Sequence, residues 1–103
     1  SMSSDSPYGL AFVPQALKEW KKLDPHTRQL FKTRLVERLQ TPRVASAQLR
    51  GHPDRYKIKL RALGYRLVYE VRDSQVLVVV VAVGRRDGQA VYIAAVGRDG
   101  AVH

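Results

Sequence analysis

At 103 residues the chain is long enough for one small domain with a modest core, and a hydrophobic content of 45% is too high for a disordered chain. With no cysteine there is no disulfide framework and no thiolate chemistry, and the apolar run from Val76 to Val83 is too short to span a bilayer. The net charge of +9, from 18 Lys and Arg against 9 Asp and Glu, fits a solvated surface unless the cations are gathered in one place.

Ser1 before Met2 reads as an expression scar, so residues 1–7 are expected to form a disordered N-terminus, 8–97 a single domain and 98–103 a short tail. Tyr8 to Val13 is the first strand candidate, bounded by Pro7 and Pro14. Pro14 suits the first turn of a helix, and Leu17, Trp20 and Leu23 then recur at helical spacing with Lys18, Glu19, Lys21 and Lys22 outward. Asp24-Pro25 reads as an N-cap followed by a first-turn proline. A second helix follows to about Gln40, carrying Phe31, Leu35 and Leu39 at i, i+4 and i+8, and Pro42 ends it. The two helices form a hairpin.

The second half is strands. Tyr56 to Arg61 and Tyr65 to Val71 are joined by Ala62-Leu63-Gly64, a tight turn in which Gly64 supplies the unusual dihedral. Asp73-Ser74 turns the chain again, and the unbroken apolar run from Val76 to Val83 predicts a central strand covered on both faces. Gly84 to Gly88 reads as a loop. Gln89 to Val96 is a short helix candidate with Gly97 at its C-terminal end. The order predicts an α+β domain: an antiparallel sheet of about four strands, an N-terminal helix hairpin packed on one face, and a short C-terminal helix.

The cations are not evenly spread. From Arg43 to Arg66 there are seven of them and a single acid, Asp54. Along Arg55-Tyr56-Lys57-Ile58-Lys59-Leu60-Arg61 every odd position is cationic and every even one apolar or aromatic, so a strand here shows four charges on one face. Charges so placed repel one another unless an anion lies between them, and a row of that spacing suits phosphates. Of the 18 cations, 12 are arginines, which bind phosphate through a planar fork. Arg43, Arg50, Arg55, Arg61 and Arg85 are the candidate nucleic-acid-binding residues.

If the phosphates belong to an RNA that the protein cuts, a 2′-hydroxyl must lose a proton, phosphorane charge must be held, and a leaving 5′-oxygen must gain a proton. The three histidines, His26, His52 and His103, read as surface residues. Asp54, Asp73 and Asp87 all sit in turns, where aspartate is favoured for local reasons. No pair among them suggests a metal site or a two-carboxylate arrangement, and no cofactor is implied. The ionisable groups left near the basic face are Lys57, Lys59, Arg66, Arg86 and Tyr92. Taken singly, each has an ordinary alternative. The lysines could form a solvated strand face and Arg66 could pair with Glu70. Arg85 and Arg86 could be solubility charges, and Tyr92 a core aromatic.

The segments ALKEWKKL, LVERLQTPRVASAQLRGHPDRYKIKLRALGYRLVYEV and VGRRDGQAVY, in that order, carry a family signature. From about Tyr8 to Val96 the chain resembles the RelE toxins, ribosome-dependent mRNA endonucleases of type II toxin–antitoxin pairs. The resemblance implies that Lys57, Lys59, Arg66, Arg86 and Tyr92 form the catalytic set. Tyr92 or one of the lysines would remove the 2′-hydroxyl proton. Lys59 and Arg66 would hold the phosphorane, and Arg86 would serve as acid or leaving-group stabiliser. Arginine hardly deprotonates, so electrostatic stabilisation is the sounder role for Arg86. The resemblance also implies cleavage of mRNA in the ribosomal decoding site, contact with 16S-type ribosomal RNA, an acidic RelB-like antitoxin, a monomer when alone, and a cytoplasmic setting without membrane contact. A non-catalytic RNA- or partner-binding module on the same fold is the alternative, and it would have no need of Arg86 and Tyr92.

Overall fold

Two prolines and an aspartate set the first half of the molecule. In the computed structural model, which describes residues 7–85, strand β1 (Gly9–Phe12) runs into helix α1 (Pro14–Lys21), with Pro14 in the first turn. Helix α2 (Pro25–Gln40) begins at the expected N-cap, where the Asp24 carboxylate accepts from the Thr27 amide at 3.1 Å and from the Thr27 hydroxyl at 2.6 Å. These bonds hold the Asp24 carboxyl below the usual carboxylate range. Three strands complete the fold: β2 (Arg55–Leu60), β3 (Tyr65–Arg72) and β4 (Leu77–Arg85). The expected disordered N-terminus and scar (but for Pro7), the helix from Gln89 to Val96, the tail and His103 lie outside the described residues.

The strand order is β1-β4-β3-β2. β2, β3 and β4 pair antiparallel, but β1 runs parallel to β4, with Gly9 opposite Leu77 and Phe12 opposite Val80. The sheet is therefore mixed rather than antiparallel. The physical reason is that α1, α2 and the β2–β3 hairpin lie between β1 and β4 in the chain, room enough for a crossover that a tight turn could not make. β4 is central and buried, as its apolar run implies, and it continues through Gly84 and Arg85, which had read as loop.

β1 is too short to cover all of β4. Its pairing stops at Val80, and farther along the same strand the Glu19 carboxylate of α1 accepts the Val83 amide at 3.1 Å. A helix side chain thus takes the place of a missing strand.

Tyr56, Ile58 and Leu60 of β2 and Leu67 and Tyr69 of β3 are buried on the face that carries the helices, with Phe31 and Leu35 of α2 and Ala16 of α1 in the same core. Leu17 had been expected on the buried face of α1. It is exposed, and Ala16, Trp20 and Leu23 face inward instead. Ala16, Trp20 and Leu23 are themselves spaced i, i+4 and i+7, and the small Ala16 lets α1 lie close to the sheet. Phe12, Trp20 and Phe31 make a ring-to-ring chain at 5.3 and 6.3 Å that joins β1, α1 and α2.

Tyr69 anchors α2 to the sheet. Its buried hydroxyl donates to the Pro42 carbonyl at 2.7 Å and accepts from Arg38 at 2.8 Å, and the same Arg38 donates to the Lys57 carbonyl at 3.3 Å. Burial pushes the Tyr69 phenol up, against the lowering effect of Arg38. Tyr69→Phe leaves the Pro42 carbonyl without this donor and Arg38 without this acceptor, so it should cost about 1–3 kcal/mol. The check is a shift of the urea midpoint to lower concentration with an unchanged slope.

Candidate active site and nucleic-acid interface

The second face of the sheet holds the cations. Register places Lys59 directly opposite Arg66, and Gly84 directly opposite Arg66 on its other side. Lys57 lies opposite Val68, which is opposite Ala82 in turn, and both of these are buried. Across β2, β3 and β4 the row is thus cation, cation, glycine. Directly opposed side chains stand about 5 Å apart at Cβ, and like charges in that position destabilise a sheet. Gly84 brings no side chain to the row.

Beyond this row the β2–β3 turn folds tightly, with Gly64 at a φ of 71°. Lys59, Arg61, Tyr65 and Arg66 line a pocket of about 170 Å³ here. Arg85 is opposite Tyr65, and its guanidinium lies over the tyrosine ring, 5.2 Å from the centroid. Lys57, Lys59 and Arg66 are half-buried, whereas Arg61 and Arg85 are exposed. Arg86 and Tyr92 lie outside the described residues, which end at Arg85, opposite Tyr65.

Two of the expected RNA-binding arginines are paired with carboxylates of the fold. Arg55 does share a strand face with Lys57 and Lys59, but it is only 4% exposed and pairs through Nε with Glu70 at 3.0 Å. The other Glu70 oxygen takes Arg72 at 2.9 Å. Glu70 therefore pairs with both of those arginines, and the competing Arg66–Glu70 pair is not the one formed. Arg43 is a clamp. It reaches Asp73 at 2.8 Å, Asp54 at 3.0 Å, the Tyr56 hydroxyl at 3.2 Å and the Pro53 carbonyl at 3.3 Å. Arg43 and the Tyr8 hydroxyl together hold the Asp73 carboxyl below the usual carboxylate range. Asp73 follows the last residue of β3, seven positions from Arg66. At roughly 3.3 Å per residue, the clamp stands about 20 Å from the pocket, at the other end of the sheet. Arg50 is exposed in the turn before β2 and is not part of the pocket lining.

Tyr65 stands nearer the surface than the parity of its strand implies. It shares the apolar side of β3 with Tyr69, and on that ground it was expected in the core. Tyr69 is fully buried, but Tyr65, at the start of the strand, is half-buried and forms part of the pocket wall. His26 is exposed as expected, whereas His52 is half-buried, and its Nδ1 is buried with no hydrogen-bond partner. Among the described residues, no three His, Cys, Asp or Glu side chains are grouped to hold a metal ion, and no helix is long and apolar enough to cross a membrane.

Comparison with known proteins agrees with this layout. The family model described as the ParE toxin of the type II toxin–antitoxin system parDE matches residues 10–90. The mRNA interferase toxin RelE of Escherichia coli K12 is 53% identical over 91 residues, which cover 88% of this chain and 96% of that protein. An arginine-substituted variant of E. coli RelE in the free state superposes with a TM-score of 0.84 at 50% identity, covering 90% of this chain and 98% of that one. RelE in the intact E. coli RelBE toxin–antitoxin complex superposes with a TM-score of 0.75 at 52% identity, covering 78% and 98%. With the mixed four-stranded sheet, the paired helices and the Lys59–Arg66 row all in place, the chain belongs to the RelE branch of the ParE-type toxins of type II toxin–antitoxin systems.

Proposed function

We propose that this protein is a type II toxin that acts as an endoribonuclease, cutting mRNA in the ribosomal decoding site and so stopping translation. The observation that carries the reading is the Lys59–Arg66 pair. Two like charges lie directly opposite each other on the sheet, in a chain 53% identical to an mRNA interferase toxin. A scissile phosphate between them would turn that repulsion into attraction.

The resemblance to the RelE toxins assigns the chemical steps. The 2′-oxygen loses its proton to Tyr92 or one of the lysines and attacks the adjacent phosphorus. Lys59 and Arg66 hold the charge on the phosphorane. The bond to the 5′-oxygen breaks to leave a 2′,3′-cyclic phosphate, Arg86 offsets the charge on the departing oxygen, and that oxygen takes a proton from water. The setting is the cytoplasm. Arg50, Arg61 and Arg85 would meet the message and 16S-type ribosomal RNA. Alone the toxin would be a monomer, and an acidic RelB-like antitoxin would restrain it by covering the basic face.

Among the described residues no histidine or carboxylate stands in the pocket lining, so unassisted cleavage of free RNA should be poor. The ribosome would then supply substrate orientation, which is worth many orders of magnitude in well-aligned reactions. Purified protein incubated with naked mRNA should cut it far more slowly than mRNA programmed on ribosomes with an open decoding site. Equal cleavage of the two would refute the reading.

A further inference from the structure

We infer that Tyr65 is the base-contacting wall of the site, the residue on which one nucleotide of the message stacks while Lys59, Arg61 and Arg66 hold its phosphate. The inference deepens the ribonuclease reading and rests on it. Among the described residues, the pocket is lined by the cations Lys59, Arg61 and Arg66 and by the aromatic ring of Tyr65. A site for an inorganic anion needs no ring, and a site for an apolar ligand needs no cations. A nucleotide has both an anionic and a flat aromatic part, and bases stack on tyrosine whatever their sequence.

The ring is also held for this task. Tyr65 is opposite Arg85, whose guanidinium lies over it, and Arg66 and Gly64 flank it along the chain. Packing against the core fixes the inner part of the ring, and half-burial leaves the rest at the pocket. Arg85 adds a planar cation to the same stack, and guanidinium planes stack on bases as rings do. Nearby Tyr69 does not share the role, because it is fully buried and hydrogen-bonded at both of its hydroxyl contacts.

The test uses full-length protein and ribosomes programmed with a message that carries 2-aminopurine in the decoding-site codon. Deoxy sugars in that codon remove the attacking hydroxyl, so binding is read without cleavage. Wild-type protein should quench the 2-aminopurine at one codon position. Tyr65→Phe keeps the ring and should quench equally, whereas Tyr65→Leu should lose most of the quench and bind roughly tenfold more weakly. On a cleavable message, Tyr65→Leu should raise the half-saturating concentration by a similar factor while the single-turnover rate at saturation stays close to wild type. Arg85→Gln changes an exposed side chain and gives a second variant should Tyr65→Leu fold poorly, and it should weaken the quench severalfold. If folded Tyr65→Leu matches wild type in quench and half-saturation, or if Tyr65→Phe fails as badly as Tyr65→Leu, the stacking role is overturned and the ribonuclease reading stands. A wild-type protein that shows Tyr65-dependent quench yet never cleaves would keep the base contact and discard the enzyme.

Discussion

Lys59→Ala is expected to lower single-turnover cleavage on programmed ribosomes about a hundred- to ten-thousandfold, whether the lysine moves a proton or holds phosphorane charge. Lys59 is at the centre of the cation row, opposite Arg66, and it lines the pocket. Lys57→Ala is expected to lower cleavage as well. Lys57 is two residues away, opposite an apolar neighbour and outside the pocket lining, so its loss should include a larger share of weakened association. Each phosphate contact removed flattens the salt dependence of binding by about 0.7 for single strands. Neither change should damage the fold. Both side chains are half-buried on the cationic face rather than in the apolar core, so the variants should fold as the wild type does. Full activity of both variants on ribosomes would reduce the row to a solvated surface.

Arg86→Ala and Tyr92→Phe separate an enzyme from a binding module. Arg86 follows Arg85 in the chain, and β4 ends at Arg85 opposite Tyr65. Tyr92→Phe removes one hydroxyl and almost no volume. If that hydroxyl takes the 2′-proton, cleavage at saturation should fall about a hundred- to ten-thousandfold while ribosome binding is retained. Arg86→Ala should lower the cleavage rate by about two to three orders of magnitude if it offsets leaving-group charge. Growth arrest on expression should vanish with both. A binding module would respond in the opposite sense, with Arg86→Ala weakening association and Tyr92→Phe silent.

Much of the fold can be read along the chain because its signals are local. Asp24 caps α2 from three residues away, and Phe31 and Leu35 mark its buried stripe by their spacing. The alternation from Arg55 to Leu60 fixes which way each side chain of β2 points. What the chain does not announce is pairing at a distance. Nothing near Gly9 says that β1 will run parallel to β4, since its partners are 68 residues away. For the same reason Arg55 was grouped with Lys57 and Lys59, although Glu70, opposite it on β3, pairs with it. Arg43 belonged to the dense basic stretch in one dimension and to a carboxylate clamp in three. Tyr65 was assigned by the parity of its strand, but at a strand end parity no longer decides burial.

That distant pairing of β1 with β4 also bears on when the molecule becomes dangerous. Contacts between residues far apart in sequence form late, because the loop they close must first be brought together. Here the central strand is also the last of the four to be synthesised, and both of its neighbours must wait for it. The β2–β3 hairpin, with Lys57, Lys59 and Arg66, can form early, but the layer that supports it cannot close until β4 has emerged. Synthesis therefore provides a built-in delay: a half-made copy has no completed sheet with which to attack the ribosome that is making it.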